Sequence, residues 1–585
     1  MTAPNRNTLW ARTIVDELAN GGVGSVVVAP GSRSTPLTVA AARDDRITVY
    51  SHLDERSAAY FALGRAKRTG DPTPLICTSG TAAANFLPAV LEGDQSRTPM
   101  ILLTADRPPE LRDSGANQTI DQVGLYGSAV RDESDLPKPE PDDRKLRSLR
   151  TTVSRALATS KGTPAGPVHL NVPFRKPLEP VAVPDDVPDS FADDHPLAAR
   201  GRDGPFVTPT VGRPTVTDDE LTDLVATIES ADRGLIVAGP DDTYGASASA
   251  IAALGEATGF PVFADPLSGV RYGPHHHRAT ILGSYDGFLH PSAYANWPMP
   301  DIVLRFGASP TSKSLRTYLA TSGARQFVVD PAGRWREATF TASDLLVADP
   351  GRLAETLAES VSRSPEWNWH ETLEGAAEQH WEMVEERADA TLEGSYLQQV
   401  VADAPDPATI VVGNSMPVRD IDRFGRPRDA DLTVIGNRGT SGIDGTTSTA
   451  LGAGSATDDP LVFVTGDLTY FHDMNGLLAL DRFDLSATIV VIDNDGGGIF
   501  HMLPIEDHDP PFTDQFKTPH GVDLSATDGL YDLRFHAVEG LQSFESRYRE
   551  SLESSGADVI AVRTDAERSH RLREAIERDV VQSLS

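Results

Sequence analysis

Leu461-Val-Phe-Val-Thr-Gly-Asp467-Leu468 and, after 24 intervening residues, Asp493-Asn494-Asp-Gly-Gly-Gly498 frame the stretch that decides the fold. Residues 461–465 and 487–492 are short apolar runs rich in β-branched side chains, and 473–483 between them suits a helix. A strand, a helical crossover and a second strand make a parallel pair. The motif residues Asp467 and Asn494 then sit at the carboxyl ends of the strands, where open α/β sheets bind ligands. A carboxylate from Asp467, an amide from Asn494 and the backbone carbonyl of Gly496 are hard oxygen donors suited to Mg²⁺ or Mn²⁺. Gly496, Gly497 and Gly498 carry no side chains, so the backbone there can approach a phosphate closely.

The same rhythm extends in both directions. Residues 26–29, 47–50, 75–78 and 100–104 read as strands, each followed by a Gly, Ser or Asp turn and an alanine-rich segment such as 56–67 or 81–91. Residues 176–216 are rich in Pro, Asp and Gly and read as a connection. A second block begins near Asp218, with strands expected at 234–238, 302–306 and 326–329. A Glu-rich helical passage, 364–394, leads to the third block, whose strands are expected at 409–412, 432–435, 461–465 and 487–492. The expectation is an α/β chain of three consecutive doubly wound parallel-sheet domains. They span 1–180, 217–370 and 371–585, with a linker at 181–216.

The 585 residues carry 52 Lys plus Arg against 85 Asp plus Glu, a formal charge of −33. Such a charge repels nucleic acid and anionic lipid, so neither is expected as a partner. Lysine is confined to Lys67, Lys138, Lys145, Lys161, Lys176, Lys313 and Lys517, and arginine supplies the remaining bases. Scattered acids with scarce lysine resemble the surfaces of proteins from salt-loving organisms, where a Debye length of ~3 Å at 1 M screens self-repulsion. One cysteine, Cys77, excludes a disulfide framework and a multi-cysteine metal site, and is expected to fill core space. No stretch approaches a membrane span, and the expected location is cytoplasmic. Three adjacent imidazoles, His275, His276 and His277, converge poorly on one ion and are not taken as a zinc site.

The spacing of Gly466-Asp467 and Asn494 resembles the thiamine-diphosphate motif, Gly-Asp-Gly followed about 25 residues later by Asn-Asn. Leu468 replaces the last glycine of the first element and Asp493 the first asparagine of the second. Neither change removes a proposed metal ligand. This coenzyme needs a carboxyl group at the far nitrogen of its pyrimidine to drive the tautomer that activates the thiazolium carbon. The candidate is Glu55 in His52-Leu-Asp-Glu-Arg56, where an expected strand gives way to a helix, with Asp54 as its neighbouring rival. Ile443, a branched apolar residue between glycines, suits a wedge that bends the two rings together.

Further motifs sharpen the resemblance. They are Pro30-Gly-Ser-Arg-Ser-Thr-Pro-Leu37, Thr78-Ser-Gly-Thr-Ala-Ala-Ala-Asn85, Thr104-Ala-Asp-Arg-Pro-Pro-Glu-Leu111, Gly115-Ala-Asn-Gln118, Gly413-Asn-Ser415, Asn437-Arg-Gly-Thr-Ser-Gly-Ile-Asp-Gly445 and Gly496-Gly-Gly-Ile-Phe500. Together they resemble the 2-succinyl-5-enolpyruvyl-6-hydroxy-3-cyclohexene-1-carboxylate synthases, the thiamine-diphosphate-dependent synthases of menaquinone biosynthesis. The likeness is strong in both outer blocks and weaker in the middle one, where Lys313 is the main anchor.

The resemblance implies decarboxylation of 2-oxoglutarate and conjugate addition of the remaining fragment to isochorismate, with thiamine diphosphate and Mg²⁺ (or Mn²⁺) as cofactors. The first block would bind the pyrimidine, and the third the diphosphate and metal. Glu55 would be catalytic. It would also contact the coenzyme, together with Ser79, Gly80, Asn414, Ile443, Gly466, Asp467, Leu468, Asn494, Gly496, Gly498 and Ile499. Ser415, Arg419 and Arg438 would take the succinyl end, and Arg33, Arg107, Gln118 and Lys313 the isochorismate carboxylates. Ile499, Phe500 and Leu503 would form an apolar wall. Charge counting agrees: two dicarboxylate substrates entering an acidic chain need local bases, and arginine suits carboxylates. The resemblance also implies a homodimer or homotetramer, with Glu55 of one subunit facing the metal site of another. The middle block resembles a nucleotide-binding turn at 236–242 but lacks the glycine spacing, and no flavin is expected there. The rivals are an acetolactate-synthase-like carboligase acting on pyruvate, and a non-catalytic Mg²⁺-diphosphate-binding regulator.

Overall fold

The computed structural model describes residues 3–242, 245–363 and 368–584. Its strands form three six-stranded sheets in which every pairing is parallel. The first holds β1 (Ser25–Ala29), β2 (Thr48–Ser51), β3 (Thr73–Cys77), β4 (Met100–Asp106), β5 (Asp132–Asp135) and β6 (Pro167–Pro173), in the order β2-β1-β3-β4-β6-β5. The second holds β7 (Gly234–Ala238), β8 (Val262–Ala264), β9 (Ile281–Leu282), β10 (Ile302–Phe306), β11 (Arg325–Val329) and β12 (Asp344–Leu346), in the order β12-β11-β10-β7-β8-β9. The third holds β13 (Ala408–Val412), β14 (Leu432–Ile435), β15 (Leu461–Gly466), β16 (Ala487–Asp493), β17 (Arg534–Val538) and β18 (Ala557–Arg563), in the order β14-β13-β15-β16-β18-β17. This is the doubly wound α/β class expected from the strand–helix rhythm.

Burial explains part of what the sequence announces. β3, β4, β7, β10 and β13 were expected and are buried along their whole length, because helices cover both faces of a parallel sheet. β6, β8 and β18 are similarly buried but lie where no strand was expected. The edge strands β2 and β14 were expected, whereas β5, β9, β12 and β17 lie where no strand was expected. Asp132-Glu-Ser-Asp135 and Arg534-Phe-His-Ala-Val538 are polar or mixed and half-exposed, so no apolar run marks them.

Three helical expectations change in detail. Residues 81–91 are not one helix: Thr81–Ala84 ends, and Leu87–Gln95 restarts with Pro88 in its first turn, where a missing N–H costs nothing. The crossover after Asp467 is also broken, into Asp467–His472, a short turn at Met474–Leu477, and Leu478–Phe483. The Glu-rich passage yields Asn368–Arg387 and a separate helix, Glu393–Asp403, while residues 364–367 lie outside the described residues.

The chain divides into two compact units. The first comprises Met1–Gly212, Asn437–Thr457 and Asn475–Ala479, and the second comprises Arg213–Gly436, Asp458–Met474 and Leu480–Ser585. The core of the first unit includes Trp10, Ile14, Leu18, Val26, Val28, Ile101 and Leu103. Phe191 and Ala198 from the expected connection join it. The helix Thr446–Gly454 also packs in this unit, against Glu55–Thr69. Contact is close enough that a Cβ at Gly64 would lie 2.0 Å from the Thr449 carbonyl oxygen. Within the second unit, buried ion pairs join the second and third sheets: Arg271 to Asp422 at 2.6 Å, and Asp286 to Arg573 at 3.4 Å and Arg423 at 3.7 Å. Among the described residues, no helix is long and apolar enough to cross a membrane.

Candidate functional site

Strand order dictates where each group of motif residues comes together. In a doubly wound sheet the chain leaves the switch-point strands in opposite directions, opening a crevice at their carboxyl ends. In the first sheet that crevice lies beyond β1 and β3, which lead directly into Arg33 and into Ser79-Gly80. The Ser79 hydroxyl donates to the Gln118 carbonyl at 3.0 Å, and the Gln118 Nε2 donates back to the Ser79 carbonyl at 3.0 Å. Gly80 has φ +92°, a conformation side chains rarely adopt. Arg33 is buried; its backbone N–H donates to Thr78 Oγ1 and its guanidinium to the Phe174 carbonyl. Burial and the neighbouring Arg107 lower the Arg33 pKa, partly opposed by Asp106. Two guanidiniums that repel each other this way make a natural receptor for carboxylates. Arg107 Nη2 donates to the Asn117 carbonyl at 2.6 Å.

Glu55 stands at the end of β2 as the first residue of the helix Glu55–Thr69. Asp54 is its N-cap, accepting from the backbone N–H groups of Arg56 and Ser57. Burial, with a contribution from Glu55, pushes the Cys77 thiol well up, so Cys77 is an inert core residue beside this group. Arg438 and Ile443 belong to the segment that folds with the first unit. Glu92 is buried and holds that segment, accepting from Gly439 N–H at 3.0 Å and Thr440 N–H at 2.6 Å. The Tyr60 hydroxyl donates to Asp444 at 2.6 Å on the other side of Ile443.

In the third sheet the crevice lies beyond β13 and β15, with β16 beside it. β13 leads into Asn414 and Ser415, β15 into Asp467, and β16 into Asn494. Ser415 has φ +69° and caps the helix Met416–Phe424, and the Arg419 guanidinium donates back to the Ser415 carbonyl. Asp467 is only 2% exposed. Its Oδ1 accepts from Leu468 N–H at 2.6 Å and its Oδ2 from Gly496 N–H at 3.0 Å. Burial raises its carboxyl despite these hydrogen bonds. Gly496 has φ +141°, and a Cβ there would lie 2.1 Å from the Lys517 carbonyl oxygen, so only glycine fits. Its own carbonyl accepts from Gly498 N–H at 3.0 Å, leaving a second lone pair. Ile499 and Phe500 lie in the short turn Gly498–Met502, where Phe500 packs edge-on against Phe516, and Leu503 follows, exposed. Lys313 stands at the switch point of the second sheet instead, beyond β10, exposed as the first residue of its helix.

Several residues of this architecture were not singled out from sequence. His520 approaches Asp467 Oδ2 at 3.3 Å, and ligand atoms of Asp467, Asp493 and His520 all lie within 4.8 Å of one another. Gln122 accepts from Gly80 N–H at 3.0 Å and donates to Asn171 at 3.0 Å. Asn171 in turn donates to Asp106 and Asp135. Glu393 is buried, accepts from Asn494 Nδ2, and is pushed up to about 7, chiefly by burial.

Known proteins resemble this chain over its full length. Residues 10–125 match the family described as thiamine pyrophosphate enzyme, N-terminal TPP binding domain, and residues 215–410 match its middle domain. The 2-succinyl-5-enolpyruvyl-6-hydroxy-3-cyclohexene-1-carboxylate synthase of Haloarcula marismortui is 58% identical over the whole of both chains. That of Halobacterium salinarum is 60% identical over 98% of each. The chain belongs to the 2-succinyl-5-enolpyruvyl-6-hydroxy-3-cyclohexene-1-carboxylate synthase family. A solved structure, the thiamine diphosphate-dependent 4-hydroxybenzoylformate decarboxylase of Rhodococcus jostii, aligns with TM-score 0.71 at 20% identity, covering 95% of this chain and 99% of its own, and supports the fold alone.

A member of this synthase family is a thiamine-diphosphate-dependent enzyme with a divalent metal such as Mg²⁺, and the third-sheet crevice fits that group. Among the described residues Asn494 Oδ1 is buried with no hydrogen-bond partner, which is costly for a polar atom unless a ligand takes it. Asp467 supplies an oxygen ligand beside it, and the glycine loop leaves room for phosphate.

Proposed function

We propose that this chain decarboxylates 2-oxoglutarate and adds the remaining fragment to isochorismate, giving 2-succinyl-5-enolpyruvyl-6-hydroxy-3-cyclohexene-1-carboxylate and CO₂ in menaquinone biosynthesis. The carrying observation is the pairing of buried Asp467 with the unpartnered amide oxygen of Asn494 at adjacent ends of parallel strands. When bound, thiamine diphosphate supplies the nucleophilic carbon and the electron sink of the reaction.

The chain's own residues then have separable tasks. Asp467, Asn494 and the Gly496 carbonyl hold the cation against the diphosphate. Gly466, Leu468, Asn414, Gly498 and Ile499 line that end, and Ser79, Gly80 and Ile443 contact the rings. Glu55 holds a proton at the far pyrimidine nitrogen. Arg419 and Arg438, with Ser415, take the distal carboxylate of 2-oxoglutarate. Arg33, Arg107, Gln118 and Lys313 take the carboxylates of isochorismate. Ile499, Phe500 and Leu503 close an apolar wall that keeps water from the reacting carbon. Glu55 and the metal ligands meet across subunits of a homodimer or homotetramer, and the enzyme works in the cytoplasm.

The test is a product assay in strong salt with Mg²⁺ and thiamine diphosphate. Consumption of isochorismate with 2-oxoglutarate and release of CO₂ is the expected result. Turnover of pyruvate with none of 2-oxoglutarate, or coenzyme binding without CO₂ release, contradicts the proposal.

A further inference from the structure

An asparagine that serves as a metal ligand must solve an orientation problem. The two ends of its amide have nearly the same shape, but one carries two hydrogens and only the other offers lone pairs. A half-turn about the last side-chain bond would present an NH₂ group to the cation and abolish coordination. Nothing in the backbone of Asn494 prevents that rotation, so the choice must come from its neighbours.

The neighbour is Glu393, 101 residues away in the chain and 3% exposed. Its Oε1 accepts from Asn494 Nδ2 at 2.9 Å and from Thr564 Oγ1 at 2.9 Å. An oxygen already accepting from two donors favours the NH₂ end of the amide, since the flipped form would set oxygen against oxygen wherever the carboxyl is ionised. Glu393 is itself fixed. It opens the helix Glu393–Asp403, and its backbone N–H donates to Ser569 Oγ at 2.9 Å. Thr564 is fixed too, its backbone N–H donating to the Asp493 carbonyl at 2.9 Å. Gly498 forms the other wall: a Cβ there would stand 2.6 Å from Asn494 Nδ2. The opposite end of the clamped amide, Oδ1, is buried and has no hydrogen-bond partner among the described residues.

We infer that Glu393, with Thr564, is the positioning residue of the cation site, locking the Asn494 amide so that Oδ1 is the atom presented to the metal. The inference rests on the proposed reading of Asn494 as a metal ligand. In this role Glu393 acts through the amide, as outer carboxylates orient ligands in other metal sites.

The test is a titration of the full-length protein with Mn²⁺ in the presence of thiamine diphosphate, with free Mn²⁺ counted by electron paramagnetic resonance. Glu393→Ala is expected to weaken Mn²⁺ binding about 10–100-fold, with turnover recovering when Mn²⁺ is raised to saturation. Glu393→Gln keeps a carbonyl oxygen that accepts both hydrogen bonds and should bind within a few-fold of wild type. Thr564→Val, which removes one of the two donors, should fall between. A folded Glu393→Ala protein with wild-type Mn²⁺ affinity overturns the role of Glu393. Equal weakening by Glu393→Ala and Glu393→Gln places the effect in charge and overturns the orienting role. Should Glu393→Ala fail to fold, the other two variants decide, and wild-type affinity in Thr564→Val contradicts the clamp. Failure of the wild type to bind Mn²⁺, or unchanged affinity in Asn494→Ala, overturns the metal-site reading itself and the inference with it.

Discussion

Asp54 and Glu55 divide two tasks at one helix start. Asp54 caps the helix by accepting two backbone N–H groups, so Glu55 is not needed for that purpose. Glu55→Gln should therefore keep the fold and coenzyme binding while lowering CO₂ release from 2-oxoglutarate about 10²–10⁴-fold, the usual worth of a positioned acid–base group. Near-normal turnover in that variant contradicts the proposed role. Legibility at this scale follows chain distance. Asp467, Asn494 and Glu55 are readable because each ends a recognisable apolar run. Gln122, His520 and Glu393 are not, because their partners lie 42, 53 and 101 residues away and no local pattern marks them.

Strands and the segments between them carry the next layer of the account. Central strands such as β4, β7, β13 and β15 were legible because burial on both faces demands continuous apolar sequence, yet β6, β8 and β18, which are also central, were not read as strands. Among the edge strands β2 and β14 were read, but β17 was not, because polar contacts and not an apolar run mark it. Burial alone would raise the Asp558 carboxyl on the neighbouring β18, but hydrogen bonds from Arg534, Ser554 and His536 outweigh it and hold the group well below the usual range. A carboxylate depressed in the fold stabilises above its unfolded value of about 3.9 and loses that contribution as pH falls. Stability measured by chemical unfolding should thus decline as the pH drops below about 4, and Asp558→Asn should flatten that decline; an unchanged slope contradicts the pairing. Between the second and third sheets, Arg271 and Asp422 form a fully buried pair. Burial pushes Asp422 up to about 7 even with Arg271 beside it. Asp422→Ala strands a buried guanidinium and should cost about 3–5 kcal/mol, read as a lowered unfolding midpoint. The same network reaches the motifs, because Ser312, the cap before Lys313, donates to Asp286 at 2.7 Å, and Arg573 joins Asp286 to Asp420 beside Arg419.

At the scale of the whole molecule, a charge of −33 opposes compaction. Raising KCl from about 0.1 M to about 1 M shortens the Debye length from ~10 Å to ~3 Å and should raise the melting temperature. A melting temperature that falls with salt contradicts the reading of the acidic surface. Composition made that adaptation legible, whereas the pairing of chain segments was not. Residues 437–457, which carry Arg438 and Ile443, fold with the first unit although their sequence lies within the third block, and only packing of Thr446–Gly454 on Glu55–Thr69 reveals it. The central claim is that Glu55 of one subunit and the Asp467–Asn494 pair of another serve one coenzyme. Co-expressing Glu55→Gln and Asp467→Ala chains in equal amounts tests it most directly, since each variant alone is expected to keep at most about one hundredth of wild-type turnover. Random pairing in a symmetric dimer should restore about one quarter of wild-type turnover, because one site in each mixed dimer is intact. A mixture no more active than the two variants measured separately contradicts the account.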